Sequence, residues 1–137
     1  MSFLLLDTCA LIFITANAPE SGQAKAAMQR AYEADELVYI SPISAWEIGL
    51  LVSRGRLNLS LSPERWFDSV LQKPGVALAD LSPEVLIAAS FLPDMPLRDP
   101  ADRIIAATAR QYGFTLLTRD KQLLAYSDKG HIRALPC

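Results

Sequence analysis

At 137 residues the chain fits one domain, spanning 1–137, that buries roughly two thirds of the surface its unfolded form exposes. A composition of 51% hydrophobic but only 8% aromatic residues favours helices packed on an apolar sheet. The net charge of −2 offers no general attraction for a polyanion, so a nucleic-acid partner has to be held locally or through metal ions. No apolar run approaches the ~20 residues of a membrane span, and no basic leader precedes the first one. Cys9 and Cys137 lie at opposite ends in no zinc-like spacing. These features predict a soluble cytoplasmic protein with neither disulfides nor membrane contact.

The first apolar run, Phe3 to Leu6, has the character of a fully buried strand, and Thr8 to Ala16 that of a short helix. Asp7 stands at their join, where open α/β sheets build their sites. Taken alone it has two readings, a helix N-cap or a functional acid. Asn17 to Gly22 reads as a loop and Gln23 to Asp35 as a helix with Ala24, Ala27, Met28, Ala31 and Tyr32 on one face. Leu37 to Ile40 is the second strand, and Ser44 is expected to cap the helix Ile43 to Ser53. Within that helix Glu47 shares a face with Ile43, Leu50 and Leu51, where an acid is unusual unless it is paired, with Arg54 or Arg56, or has work to do.

The middle, Leu57 to Leu92, holds two Pro-initiated helices behind Ser62 and Ser82 and a weak strand at Val76 to Leu78. Trp66 and Phe67 there suit core or dimer packing. A loop stiffened by Pro93, Pro96 and Pro100 leads to a helix that Asp99 caps. Asp102 differs from Asp99, because it heads the stripe of Ile105, Ala106 and Ala109 that the helix turns toward its core. Gly113 ends the helix, Phe114 to Thr118 is a further buried strand, and Asp120 repeats the placement of Asp7. Asp120 also has an alternative as the cap of Lys121 to Tyr126. An edge strand from Gly130 through Leu135 completes the chain, with His131 expected on its exposed side.

Alternating short strands and helices predict an α/β fold: a short parallel sheet covered on both faces. Strand C-termini and the helix N-termini after them then share one edge, so Asp7, Glu47, Asp102 and Asp120 can converge there. Carboxylates that close raise one another's pKa unless a divalent cation neutralises them, and oxygen ligands suit Mg²⁺ or Mn²⁺. Phosphodiester hydrolysis is the chemistry such a group serves best. Thr8 and Thr118 are placed to hold water or phosphate, and Arg98, Arg103 and Arg119 to contact a polyanion backbone.

Three segments, LLLDTCALI, ISPISAWEIGLLVSRGRL and RDPADRIIAATARQYGFTLLTRD, resemble the PIN domain family in its own order and spacing, particularly the VapC-type toxins of toxin–antitoxin pairs. The resemblance implies a three-layer α/β/α sandwich, a Mg²⁺-dependent ribonuclease, a homodimer and a cognate antitoxin that blocks the site. It implies Asp7 and Asp102 as principal metal ligands, Glu47 as the second acid and Asp120 as the fourth. Asp99 matches a DPxDR variant and stays outside the core set because capping already accounts for it. An aspartyl-phosphate phosphotransferase is disfavoured because its second acid is absent, position 9 being Cys. A PIN-like module that binds RNA or protein without cutting is the remaining alternative, and four retained acids speak against it.

Overall fold

Strand β1 (Leu4–Leu6) is buried along its whole length and lies at the centre of the sheet. The computed structural model describes residues 2–17, 21–94 and 97–137. Helix α1 (Thr8–Thr15) and helix α2 (Gly22–Glu33) follow β1, then β2 (Val38–Ile40), α3 (Ile43–Ser53), α4 (Pro63–Leu71) and β3 (Val76–Leu78). Helix α5 (Pro83–Ala88), α6 (Pro100–Tyr112), β4 (Thr115–Thr118), α7 (Lys121–Asp128) and β5 (Arg133–Pro136) complete the order. Part of the predicted loop at Ala18, Pro19 and Glu20, and Pro96 in the second loop, lie outside the described residues.

All strand pairs are parallel, in the order β3-β2-β1-β4-β5. The chain therefore winds outward from β1 in one direction through β2 and β3, then returns to pair β4 on the other side of β1. Between β1 and β4 the winding reverses, and the crevice beyond the strand C-termini opens at that point. Asp7 ends β1 there, its N–H donating to the Leu117 carbonyl at 3.2 Å.

Two apolar clusters sandwich the sheet. Leu4, Leu6 and Ile40 pack with Ala10, Leu11, Ala27 and Ile48 of the first helices, whereas Leu5 and Leu116 pack with Val85, Ile105, Ala106 and Leu123. Alternate residues of β1 thus serve opposite faces, which is why its sequence is a continuous apolar run. The small residues of α6, Ala101, Ala106 and Ala109, are almost fully buried and bring that helix close to the sheet.

Four details differ from the expectations. Tyr32 is 82% exposed, so only Ala24, Ala27 and Ala31 form the buried stripe of α2, with Met28 half-buried. Ser44 caps nothing: it lies inside α3, and the Ser41 hydroxyl accepts from the Ile43 N–H instead, at 3.1 Å. The last strand begins at Arg133, after a left-handed Gly130. His131 is half-buried, its Nε2 lying 2.6 Å from Asp94 Oδ2 and its ring 4.8 Å from that of Tyr126. Ser62 and Ser82 do cap α4 and α5, accepting from the N–H groups of Arg65 and Val85.

Candidate active site

Asp7 is only 4% exposed, and both its carboxylate oxygens are held. Oδ1 accepts from the Ala10 N–H at 2.7 Å as the cap of α1, and Oδ2 accepts from the Thr118 hydroxyl. The N-cap reading and the functional reading are thus compatible, because capping occupies one oxygen from one direction. Burial pushes the Asp7 carboxyl above its usual range, the Thr118 and Ala10 bonds pull it back, and the charge of Asp120 raises it again.

Thr118 ties two acids together. It is fully buried, donates to Asp7, and accepts from the Asp120 N–H at 3.0 Å. Asp120 caps α7 with Oδ1, accepting from Gln122 and Leu123 N–H at 2.8 and 3.0 Å. Replacing Thr118 by Val keeps the shape and removes both bonds. The expected cost is about 1–3 kcal/mol of stability, read by denaturant unfolding, together with weakened activity as Asp7 loses its orientation. A change below about 0.5 kcal/mol with activity intact would contradict this role.

Glu47 is half-buried on α3 and accepts from the Thr8 hydroxyl, and Thr8 in turn lies 2.8 Å from the buried Ser44 hydroxyl. A carboxylate only accepts, so the single Thr8 proton goes to Glu47 and Ser44 donates to Thr8. Among the described residues no ion pair joins Glu47 to Arg54 or Arg56. Burial raises the Glu47 carboxyl, Thr8 lowers it, and Asp99 and Asp7 raise it further.

Asp102 stands in the first turn of α6, its N–H donating to Asp99 Oδ1 at 3.1 Å. Its carboxyl is pushed up to about 7, by burial first and then by the charges of Asp99, Asp120, Glu47 and Asp7. That list locates the cluster, because every predicted acid is near enough to act on Asp102. Asp99 does cap α6, yet it is also the foremost charge acting on both Asp102 and Glu47. Capping accounts for its presence without removing its field from the site.

Three sequence readings change here. Thr8 and Thr118 orient carboxylates through direct bonds, so their hydroxyls are already engaged. Arg103 donates through Nε to the Leu97 carbonyl at 2.6 Å, while Arg119 donates to the Cys137 carbonyl at 3.0 Å and lies 3.9 Å over the Phe13 ring. Each thus ties its Nε to the fold, while Arg119 itself stays exposed. Cys9, passed over in the sequence, lies among the acids: although exposed, its thiol is raised to about 11 by partial desolvation and then by Asp7, Glu47, Asp102 and Asp120. In the metal-free protein that field keeps Cys9 a neutral thiol at neutral pH.

A parallel α/β sheet carrying an acidic cluster at its switch point defines a class of proteins whose site is made of carboxylates. The PIN domain family matches residues 4–129. Ribonuclease VapC22 of Mycobacterium tuberculosis is 34% identical over 101 residues, covering 74% of this chain and 75% of that protein. The fold is similar to VapBC2 from Rickettsia felis, solved bound to a DNA fragment from its promoter, with a TM-score of 0.69 at 15% identity over 98% of both chains. It is also similar to DNA-bound VapBC from Salmonella typhimurium, with a TM-score of 0.65 at 22% identity over 99% of this chain and 98% of that one. A toxin–antitoxin complex from Klebsiella pneumoniae matches with a TM-score of 0.60 at 18% identity, over 96% and 95% of the two chains. The chain belongs to the PIN domain family, and within it is a homologue of the VapC toxin ribonucleases.

Proposed function

We propose that this chain, as a single PIN domain spanning 1–137, is the toxin of a toxin–antitoxin pair and hydrolyses RNA phosphodiesters with Asp7, Glu47, Asp102 and Asp120 around Mg²⁺ or Mn²⁺. The observation that carries the reading is four acids brought together at the sheet's switch point, Asp7 and Glu47 aimed by hydroxyls and Asp102 raised to about 7 by burial and then by the charges around it. Such a group gains from a divalent cation.

The donor set fits that cation. Among the described residues no three acids, thiols or imidazoles gather into a ready-made cage. Mg²⁺ does not require one, since it keeps several waters and takes one or two carboxylates beside phosphate oxygens. Asp7 and Asp102 are the residues proposed to hold it, Asp7 because Thr118 and the Ala10 N–H aim its carboxylate. When bound, the cation supplies Lewis-acid polarisation of phosphate and a more acidic water. Glu47, aimed by Thr8, and Asp120, placed by its own capping bonds, flank the pair and offer oxygens for the proton that an attacking water gives up.

A cognate antitoxin is proposed as partner because solved relatives are complexes of such pairs. A homodimer is supported by the exposed apolar surface of Leu86, Ile87 and Phe91, 42%, 62% and 80% accessible. Among the described residues no helix is long and apolar enough to cross a membrane; a cytoplasmic place of action is proposed with the toxin role. The test is cleavage of a panel of structured and single-stranded RNAs by the purified chain with Mg²⁺, Mn²⁺ or EDTA. Cutting that EDTA abolishes and either metal restores is expected. Metal binding without cleavage of any RNA would favour the non-cutting binding module.

A further inference from the structure

A groove of about 410 Å³ runs from the acidic cluster along α3, with Glu47 and Asp99 at one end and Arg54 and Arg56 at the other. Trp46 and Leu50 form its apolar wall. Trp46 is 53% exposed and has no ring partner among the described residues, unlike Trp66, which stands against Phe67. Arg54 and Arg56 are exposed, and among the described residues neither guanidinium makes a hydrogen bond or an ion pair. From Glu47 to Arg54 the helix advances seven residues, roughly 10 Å.

We infer that this groove is a single-stranded RNA subsite, in which Trp46 stacks on a base next to the scissile phosphate and Arg54 and Arg56 hold the phosphates beyond it. An indole face takes any unpaired base, and guanidinium forks take phosphate oxygens, whereas a paired duplex presents no free base face to an indole. The order along α3 is the one a strand needs: carboxylates and their cation at the reacting phosphate, aromatic surface next, positive charge after it. The groove also adds positive charge beside the acids of an acidic chain whose Arg103 and Arg119 each donate one N–H to a backbone carbonyl. The inference rests on the nuclease reading proposed above and specifies which form of RNA reaches the site.

Two measurements separate the groove from that reading. In steady-state cleavage of single-stranded RNA, Trp46→Ala is expected to raise KM about tenfold with kcat within about twofold, and Trp46→Phe to restore most of the loss. The Arg54→Ala, Arg56→Ala double variant is expected to raise KM similarly and to flatten its dependence on log salt by about 1.4, the value for two phosphates on a single strand. Calorimetric Mn²⁺ affinity should stay unchanged in all of them. Unchanged KM, or a loss of kcat together with Mn²⁺ affinity, would overturn the groove while leaving the nuclease standing. Should the wild-type chain cut nothing, the nuclease reading fails, and emission decides the groove alone. In Trp66→Phe the remaining indole is Trp46, and oligouridylate is expected to quench it at micromolar to sub-millimolar concentration. Absence of quenching would overturn the RNA subsite and leave that face to a peptide partner.

Discussion

Asp7→Asn is expected to reduce RNA cleavage by about a thousandfold or more while the chain folds normally. The amide keeps what is structural about Asp7. Its oxygen still accepts from Ala10 N–H as a helix cap, Asn being as good an N-cap as Asp, and its NH₂ can donate to the Thr118 oxygen. Only the charge is lost, and with it a ligand for a divalent cation. Asp102→Asn should show the same loss, since Asp102 also retains its backbone bond to Asp99. Cleavage rates and Mn²⁺ calorimetry on both variants check this. Full activity in either would remove that residue from the site, and an unfolded variant would mean that the carboxylate itself is structural.

The metal-free protein should lose stability as pH rises from about 4 to about 7. Asp102 carries the main effect. Its folded-state carboxyl stands at about 7 against an ordinary 3.8. A raised carboxyl pKa means that the folded state holds its proton more tightly than the unfolded state. The stabilisation is therefore complete below the unfolded value and disappears as pH climbs through the folded one. Unscreened, the displacement would be worth about 4 kcal/mol. Asp102 is only half-buried, so solvent screens it and about 1–2 kcal/mol is expected in practice. Asp7 and Glu47, both raised, act in the same direction. Thermal melts in EDTA should thus show a lower Tm at pH 8 than at pH 5, Asp102→Asn should flatten the profile, and Mg²⁺ should restore the Tm at pH 8 more than at pH 5. A pH-independent Tm in EDTA would contradict the raised Asp102 carboxyl.

Much of this arrangement was legible in the sequence because burial leaves a pattern. Leu4 to Leu6 is covered on both faces and reads as an unbroken apolar run, Leu116 and Leu117 are its buried counterpart between two threonines, and the acid beyond each strand is conspicuous. Asp102 stood out because it heads a stripe of Ala and Ile, which the fold does turn inward. Ser44 and Cys9 left no such trace. A serine before a helical run is equally a cap or a helix residue until the backbone chooses, and here Ser41 took the capping role. Arginines carry no mark of whether they meet substrate or a neighbouring carbonyl, and only the fold shows that Arg103 and Arg119 each donate through Nε to a backbone carbonyl, Arg119 while exposed.

Composition and periodicity were enough, in the linear sequence, to determine an α/β chain, the placement of four acids pointed to a carboxylate site, and three segments carried the resemblance to the PIN domain family. What only the tertiary structure decided is how those acids are held: Thr118 clasping Asp7 and Asp120, Ser44 and Thr8 aiming Glu47, Asp99 acting on Asp102. The physical reason is range. Strand and helix patterns arise between residues a few positions apart, whereas the Thr118–Asp7 bond spans 111 residues and the Thr8–Glu47 bond spans 39, and these exist only once β4 has returned beside β1 and α3 has packed across α1.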